Sequence, residues 1–560
     1  MTPARVLALL PRRSDWAAAR RAPMRDLVAG STVALVALPL ALAFGVTSGL
    51  GAEAGLITAI VAGAAAAVFG GSNLQVSGPT GAMTVVIVPV VHQFGPRAVL
   101  MVGAMSGLIL VALAIARVGR YVRYLPMPVI EGFTAGIAVV IALQQIPAAL
   151  GVAGPAGEKI WQKPLDAMRH FSEHPAPAPL AIAVAVAAAI LVGGRTRPRV
   201  PVALLAVAGA TLFARLTSFN VELLGKLPSH LPAASLHFLD LGMMRALLPS
   251  ALAVAALAAL ESLLSATAAD GMSVGQRHDP ERELFGQGLA NLAVPIFGGV
   301  PATGAIARTA VNARAGASSR LAALVHALVL ALVAFAAAPL VGMIPLAALA
   351  GVLLATTVRM VEVATLLAIA RTTRADAVVL ALTFTVTVAI DLVTAVAVGV
   401  GVAVVLALRT IARSATLDEV PLDGSDDSDE ERALLAEHIV AYRFDGPLFF
   451  AAAHRFLLEL TKVSDVHVVI LRMSRVSTLD ATGANVIGDA ITHLEKRGIA
   501  VLLSGLRTKH DDVLAALGIA EHLRRDGLLF ADTPAAIAHA RGLVQGHRTS
   551  GTLRAARASA

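Results

Sequence analysis

Gly78-Pro79-Thr80-Gly81-Ala82 and Pro301-Ala302-Thr303-Gly304-Ala305 decide how this chain is read. Each is a short Pro/Gly-interrupted stretch set between long apolar segments, where an unbroken membrane helix would satisfy its own backbone. Interrupted hydrophobic segments at corresponding positions of two chain halves point to a secondary transporter whose substrate site lies where the two broken helices meet near the midplane. The other reading of the repeat is chance recurrence of Thr-Gly-Ala in an Ala- and Gly-rich sequence. The surrounding composition separates the two.

Of 560 residues 57% are hydrophobic and only 15% are charged, with a mean hydropathy of +0.77. That balance excludes an ordinary soluble protein and identifies a polytopic membrane protein. Apolar stretches near the length that spans a bilayer recur from Ser31 to Leu408, after which the composition becomes that of a soluble domain. The net charge of +8 sits in short clusters beside the apolar stretches: Arg12, Arg13, Arg20, Arg21 and Arg25 before the first, and Arg117, Arg120, Arg195, Arg197, Arg371 and Arg374 after later ones. These are topology signals rather than a nucleic-acid surface, and the positive-inside rule places the N-terminus and the C-terminal domain in the cytoplasm. The first apolar stretch is long and lacks a cleavage site, so it reads as a first span rather than a removable signal. With no cysteine, disulfides and thiolate metal sites are excluded.

Seven segments are expected in the first half, at about 30–50, 53–70, 79–92, 98–117, 129–150, 179–194 and 201–216. Seven more follow at 246–266, 284–298, 303–313, 320–340, 344–362, 376–391 and 393–409. The short, broken segment is third in each half, and an odd-numbered repeat inverts its second copy, so the two breaks approach from opposite sides. The domain reading is a cytoplasmic segment 1–29, a transport domain 30–412 with repeats at about 30–216 and 246–409, an acidic linker 413–436, a small α/β domain 437–545 and a flexible tail 546–560. Strands at His438–Phe444, Val466–Leu471 and Ile499–Ser504 and an amphipathic helix at Ala481–Arg497 give the α/β reading.

Ala37-Leu38-Pro39-Leu40-Ala41-Leu42-Ala43-Phe44-Gly45, Phe69-Gly70-Gly71, Gly78-Pro79-Thr80-Gly81, Glu131-Gly132-Phe133-Thr134-Ala135-Gly136 and Gly299 through Thr309 resemble, in this order, the sulfate permease family, also called solute carrier 26. Leu479-Asp480-Ala481-Thr482-Gly483 resembles the STAS module. The resemblance implies an α-helical fold of fourteen spans in two inverted seven-segment repeats, split into a core (segments 1–4 and 8–11) and a gate (5–7 and 12–14). It also implies a cytoplasmic STAS domain, alternating access and a homodimer. The first span, Leu40-Ala41-Leu42-Ala43-Phe44, lacks the Gln and Tyr frequent in sulfate carriers and is closer to bacterial bicarbonate and dicarboxylate carriers.

An anion at the midplane needs positive potential, and the N-terminal ends of two half-helices supply partial charge and unpaired N–H groups. Gly81 and Gly304 are expected to let backbone approach the ligand, Thr80 and Thr303 to donate hydroxyls, and Ala82, Ala305 and Ile306 to keep the pocket small. Phe44 forms a wall. Arg308, one turn into the second half-helix, could complement an anion or bind a nearby carbonyl, and the resemblance puts a basic side chain here near the anion. Helix packing and back-bonding are the structural alternative for the same glycines and threonines. Glu261, inside an otherwise apolar span, is costly when charged and is read as the coupling group, with Ser265 one turn on, for a proton or sodium ion. A structural carboxylate is the competing reading. Thr482 matches a phosphorylatable hydroxyl of the STAS resemblance, while Asp480 and Thr482 equally suit a helix cap.

The function expected is secondary active transport of a small inorganic or carboxylate anion in a lipid bilayer, with no metal, no cofactor beyond the coupling ion, no nucleic acid and no enzymatic activity. A primary pump is excluded by the absence of a Gly-x-x-x-x-Gly-Lys-Ser/Thr loop. An anion channel, or an anion sensor signalling through the STAS domain, is the alternative.

Overall fold

The computed structural model describes residues 8–152, 161–197, 200–217, 221–227, 230–273, 276–390, 392–414, 416–419, 438–449 and 466–558. The chain divides into two compact units, Met1–Gly401 and Val402–Ala560.

The first half of the membrane unit runs α1 (Pro23–Thr47), α2 (Ala52–Phe69), β1 (Ser77–Gly78), α3 (Gly81–Phe94), α4 (Pro96–Ile115), α5 (Met127–Leu150), α6 (Gln162–Glu173), α7 (Pro177–Thr196) and α8 (Val202–Leu216). The second runs α9 (Met244–Met272), α10 (Pro280–Ala293), β2 (Thr303–Gly304), α11 (Ile306–Arg314), α12 (Leu321–Ala336), α13 (Leu346–Met360), α14 (Val363–Thr372), α15 (Arg374–Ala389) and α16 (Leu392–Ser414). All fourteen segments expected from sequence are helical, with shifted ends. Two further helices, α6 and α14, lie between them. Among the described residues eight helices are long and apolar enough to cross a membrane, and Gly81–Phe94, Val202–Leu216 and Leu321–Ala336 are shorter apolar helices.

Packing separates the helices into two groups. In one, α10 packs on α4 and α2, α12 on α1 and α2, and α9 on α4; in the other, α5 packs on α13 and α15, and α7 on α13 and α8. These are the expected core and gate. Small residues set the core spacing, because apolar side chains gain nothing over lipid unless backbones come close. Gly45 meets Gly55 across α1 and α2, and Gly107 meets Gly288 across α4 and α10, each with no room for a methyl group.

The C-terminal unit has a five-stranded sheet in the order β3 (Thr416–Glu419), β4 (Ile439–Leu448), β5 (Val468–Leu479), β6 (Ala500–Ser504) and β7 (Leu529–Phe530), with β3 antiparallel and the rest parallel. Parallel neighbours need crossovers. α17 (Ala481–Lys496) makes the one from β5 to β6, α18 (Thr508–Ala516) and α19 (Ile519–Arg525) together make the one from β6 to β7, and α20 (Thr533–Ala558) follows the last strand. Val469, Leu471 and Val501 face one side with Ile487 and Ile491 of α17, while Ile470 and Leu502 face the other with Ala536 and Ala540 of α20. Two sequence expectations change. Thr416–Glu419, read as linker, is the edge strand, and the segment read as a flexible tail continues α20 to Ala558. The rest of the acidic linker, 420–436, lies outside the described residues.

Candidate functional site

The two broken segments meet. β1 and β2 pair antiparallel, Ser77 opposite Gly304 and Gly78 opposite Thr303, as inverted copies require. Gly78 has φ +156, open to a residue without a side chain. α3 then starts at Gly81 and α11 at Ile306, so both N-termini open immediately beyond the paired strands.

The two helix starts differ. Thr80 caps α3, its Oγ accepting the Met83 N–H at 3.4 Å; Gly81 is buried against Phe44 and Ile141, and Ala82 is buried beside it. α11 has Ala305 as its N-cap residue with no side-chain cap, and its first residue, Ile306, is 45% exposed. The first N–H groups of a helix have no intrahelical acceptor, so α11 presents uncapped donors at an accessible position.

Glu261 of α9 sits between the two starts. Its Oε2 accepts the Thr80 hydroxyl at 2.8 Å, Thr303, whose hydroxyl donates to the Gly304 carbonyl at 3.3 Å, lies near it, and it remains half-buried. The carboxylate therefore occupies the electropositive region between the two helix N-termini.

Several of these side chains have protein contacts of their own. Gly81 and Gly304 make room for protein atoms: a Cβ at Gly81 would overlap Ile141 Cδ1 and lie 3.1 Å from Phe44 Cε1, and one at Gly304 would overlap the Gln75 amide and lie 3.0 Å from Ser262 Cα. Arg308 is 2% exposed and donates from Nη2 to the Pro79 carbonyl, so it braces the first break, and its charge reaches Glu261 only through space. Ser265 does not share the Glu261 site. Its hydroxyl donates to Thr309 Oγ1 at 3.0 Å, and Thr309 Oγ1 also accepts the Val76 N–H at 3.1 Å. Thr303 and Ala305 are buried, and Phe44 lies against Gly81.

Sequence reading missed Ser262, whose Oγ accepts the Gly304 N–H at 2.9 Å, and Thr58, whose hydroxyl bonds both the carbonyl and the N–H of Val300 at 2.9 and 2.7 Å. It also missed Ile141, an aliphatic gate residue among many. His326 is fully buried, and among the described residues neither of its nitrogens nor Arg308 Nη1 has a protein partner. In the C-terminal unit Asp480 Oδ1 accepts the Gly483 N–H at 2.7 Å, the cap expected of it, and Thr482 is exposed on the first turn of α17.

Comparison with known proteins gives a consistent picture. The sulfate permease family model matches residues 24–383 and the STAS domain model residues 433–536. A putative sulfate transporter, YvdB, of Bacillus subtilis (strain 168) is 34% identical over 510 residues, covering 88% of this chain and 94% of its own length. The bicarbonate transporter BicA of Synechocystis is 30% identical over 501 residues, covering 86% and 88%. The overall structure of SLC26A9 superposes with a TM-score of 0.82 at 17% identity over 98% of this chain and 94% of that one, a likeness of fold.

Proposed function

The chain belongs to the sulfate permease family, and from that premise we propose that it is a secondary active transporter of a small inorganic or carboxylate anion, such as bicarbonate, sulfate or a dicarboxylate, coupled to a proton or sodium ion. The observation that carries this reading is the hydrogen bond from Thr80 to Glu261, which holds a carboxylate between two helix N-termini. Those termini favour negative charge, and Glu261 already supplies it. A substrate anion arriving at the uncapped start of α11 meets that like charge. A proton or sodium ion on Glu261 cancels the repulsion, so cation and anion load together. Isolated charge deep in a membrane is costly, and the loaded pair carries less of it than the anion alone.

Alternating access follows by motion of the core helices α1–α4 and α9–α12 against the gate, across the contact where Ile141 covers Gly81. In the same proposal fourteen segments cross the cell membrane, two copies form a dimer, and the basic N-terminus and the STAS domain face the cytoplasm. The relatives named above support a transported anion of the sulfate or bicarbonate type.

The test is uptake into proteoliposomes from an anion panel, with and without proton and sodium gradients, followed by counterflow. Wild type is expected to show counterflow, which an open channel does not, and accumulation under one gradient. Glu261→Gln is expected to retain exchange and lose gradient-driven accumulation. If sodium is the partner, the Gln variant loses sodium stimulation while Glu261→Asp keeps it. A Gln variant that accumulates anion like wild type under both gradients removes Glu261 from coupling and leaves it a structural carboxylate.

A further inference from the structure

We infer that one face of α10, carrying Glu283, Gln287 and Asn291, positions both half-helices and so sets the geometry of the anion site without touching the anion; the inference rests on the anion-site reading above. The three residues are four apart, hence on one helix face, and are 2%, 0% and 0% exposed. Glu283 Oε2 accepts the N–H groups of Gly71 and Ser72 at 2.9 and 3.1 Å, which fixes the loop entering the first break. Its Oε1 accepts Gln287 Nε2 at 3.0 Å, and that Nε2 also donates to Ser77 Oγ at 2.6 Å. Asn291 bonds Ala302 in both directions, Nδ2 to the carbonyl at 2.9 Å and Oδ1 from the N–H at 2.8 Å.

Ser77 is the strand residue opposite Gly304, and Ala302 directly precedes Thr303. The helix therefore grips both strands of the pair that separates the two helix starts. Thr58 of α2, by comparison, holds only the second break, through Val300. The polarity of the chain is also fixed. With Glu283 as a carboxylate, which only accepts, the Gln287 amide turns its nitrogen to Glu283 and Ser77. Buried polar networks of this kind specify one arrangement when every link is present and fail at the first broken one.

Reversing the polarity tests the inference. In Glu283→Gln the amide oxygen can still take the Gly71 and Ser72 N–H groups, and the Gln287 amide can turn over so that its oxygen accepts from the new nitrogen and from the Ser77 hydroxyl; in Gln287→Glu two carboxyl groups face each other and no such turn relieves them. Combined, Gln at 283 donates to Glu at 287, which accepts the Ser77 hydroxyl, and net charge is unchanged. On the full-length purified protein, Gln287→Glu is expected to raise the half-saturating concentration of the transported anion by about tenfold or more, the size of one lost coupled interaction, and Glu283→Gln to raise it less. Amide hydrogen exchange across 76–80 and 302–306 is expected to rise with it, and the double variant to return both toward wild type. Ser77→Ala, which removes one acceptor and leaves the packing, should move both readouts the same way. If α10 were only structural packing, thermal stability would fall while half-saturation and local exchange in the surviving folded protein stayed at wild-type values. That result, a double variant no better than the worse single, or a wild-type-like Ser77→Ala, overturns the inference. If wild type saturates with no anion of the panel, the functional reading fails, and the exchange data still decide whether α10 positions the breaks.

Discussion

At Gly81 a methyl group has no space: Ile141 Cδ1 of the gate occupies it, with Phe44 Cε1 and Ile141 Cγ1 at 3.1 and 3.2 Å of an added Cβ. Overpacking a tight contact costs about 1–3 kcal/mol, and here the cost falls on the surface where core meets gate. Gly81→Ala should therefore slow transport by about tenfold or more, since about 1.4 kcal/mol is tenfold, with little loss of folded protein. Ile141→Val removes the Cδ1 in question, so Gly81→Ala with Ile141→Val should recover most of the rate in a proteoliposome exchange assay. No recovery would mean that Gly81 acts through the ligand after all. The sequence pointed to Gly81, Thr80 and Glu261, because a broken helix and an intramembrane acid are visible as departures from an apolar pattern. It could not show that the Gly81 vacancy belongs to Ile141, which is one isoleucine among many aliphatic neighbours, or that the carbonyl Arg308 binds is that of Pro79, because side-chain direction depends on where β1 and β2 pair.

Elements were legible where periodicity was strong and hidden where polar residues interrupted it. The apolar helices of both halves follow from hydropathy alone, whereas α10 reads as an ordinary span until Glu283, Gln287 and Asn291 are seen to fall four residues apart. That spacing was available as a signal. The N-terminal segment ahead of α1 was equally unmarked, though Asp15 ties it to the core: Arg282 reaches Asp15 with Nη1 at 3.2 Å and Nη2 at 2.6 Å, and Arg320 lies 3.9 Å away. Burial alone would raise the Asp15 carboxyl, but the Arg282 hydrogen bonds, the Arg12 backbone N–H and the charge of Arg320 outweigh it and hold the group below its ordinary value. A depressed carboxyl stabilises the fold above its unfolded value, near pH 4, and that contribution disappears as pH falls through the folded value. Asp15→Asn should cost about 1.5–3 kcal/mol at neutral pH, the range for hydrogen bonds to charged groups. Measured as the melting-temperature gap between wild type and variant, the effect should be constant from pH 8 to about pH 5 and shrink below about pH 4. A gap that widens on acidification would contradict this assignment.

For the whole molecule, the composition shift near Arg409 announced two units, and the structure draws the division at Gly401–Val402, within α16. What composition could not show was that strand pairing begins at Thr416, because an acidic stretch reads as solvated linker whether or not its backbone joins a sheet. The α/β unit has its own apolar core on both faces of its sheet, with Val469, Leu471, Ile470 and Leu502 among its fully buried residues. The site residues Thr80, Glu261, Thr303 and Ile306 all lie in the membrane unit, and the bonds that hold them come from α2, α9 and α10 of that same unit. Each unit has an apolar cluster of its own. Truncation after Ser414, which leaves α16 whole and removes every strand of the sheet, should therefore give a folded membrane unit with an anion half-saturation within about threefold of the full chain, a difference under about 1 kcal/mol. Maximal rate and its response to gradients are free to change, since a soluble unit can alter how the core moves without contributing to its binding surface. A truncated protein that is monodisperse and thermally stable yet binds no anion would show that the C-terminal unit completes the site, and the division of labour argued from the two separate cores would be wrong.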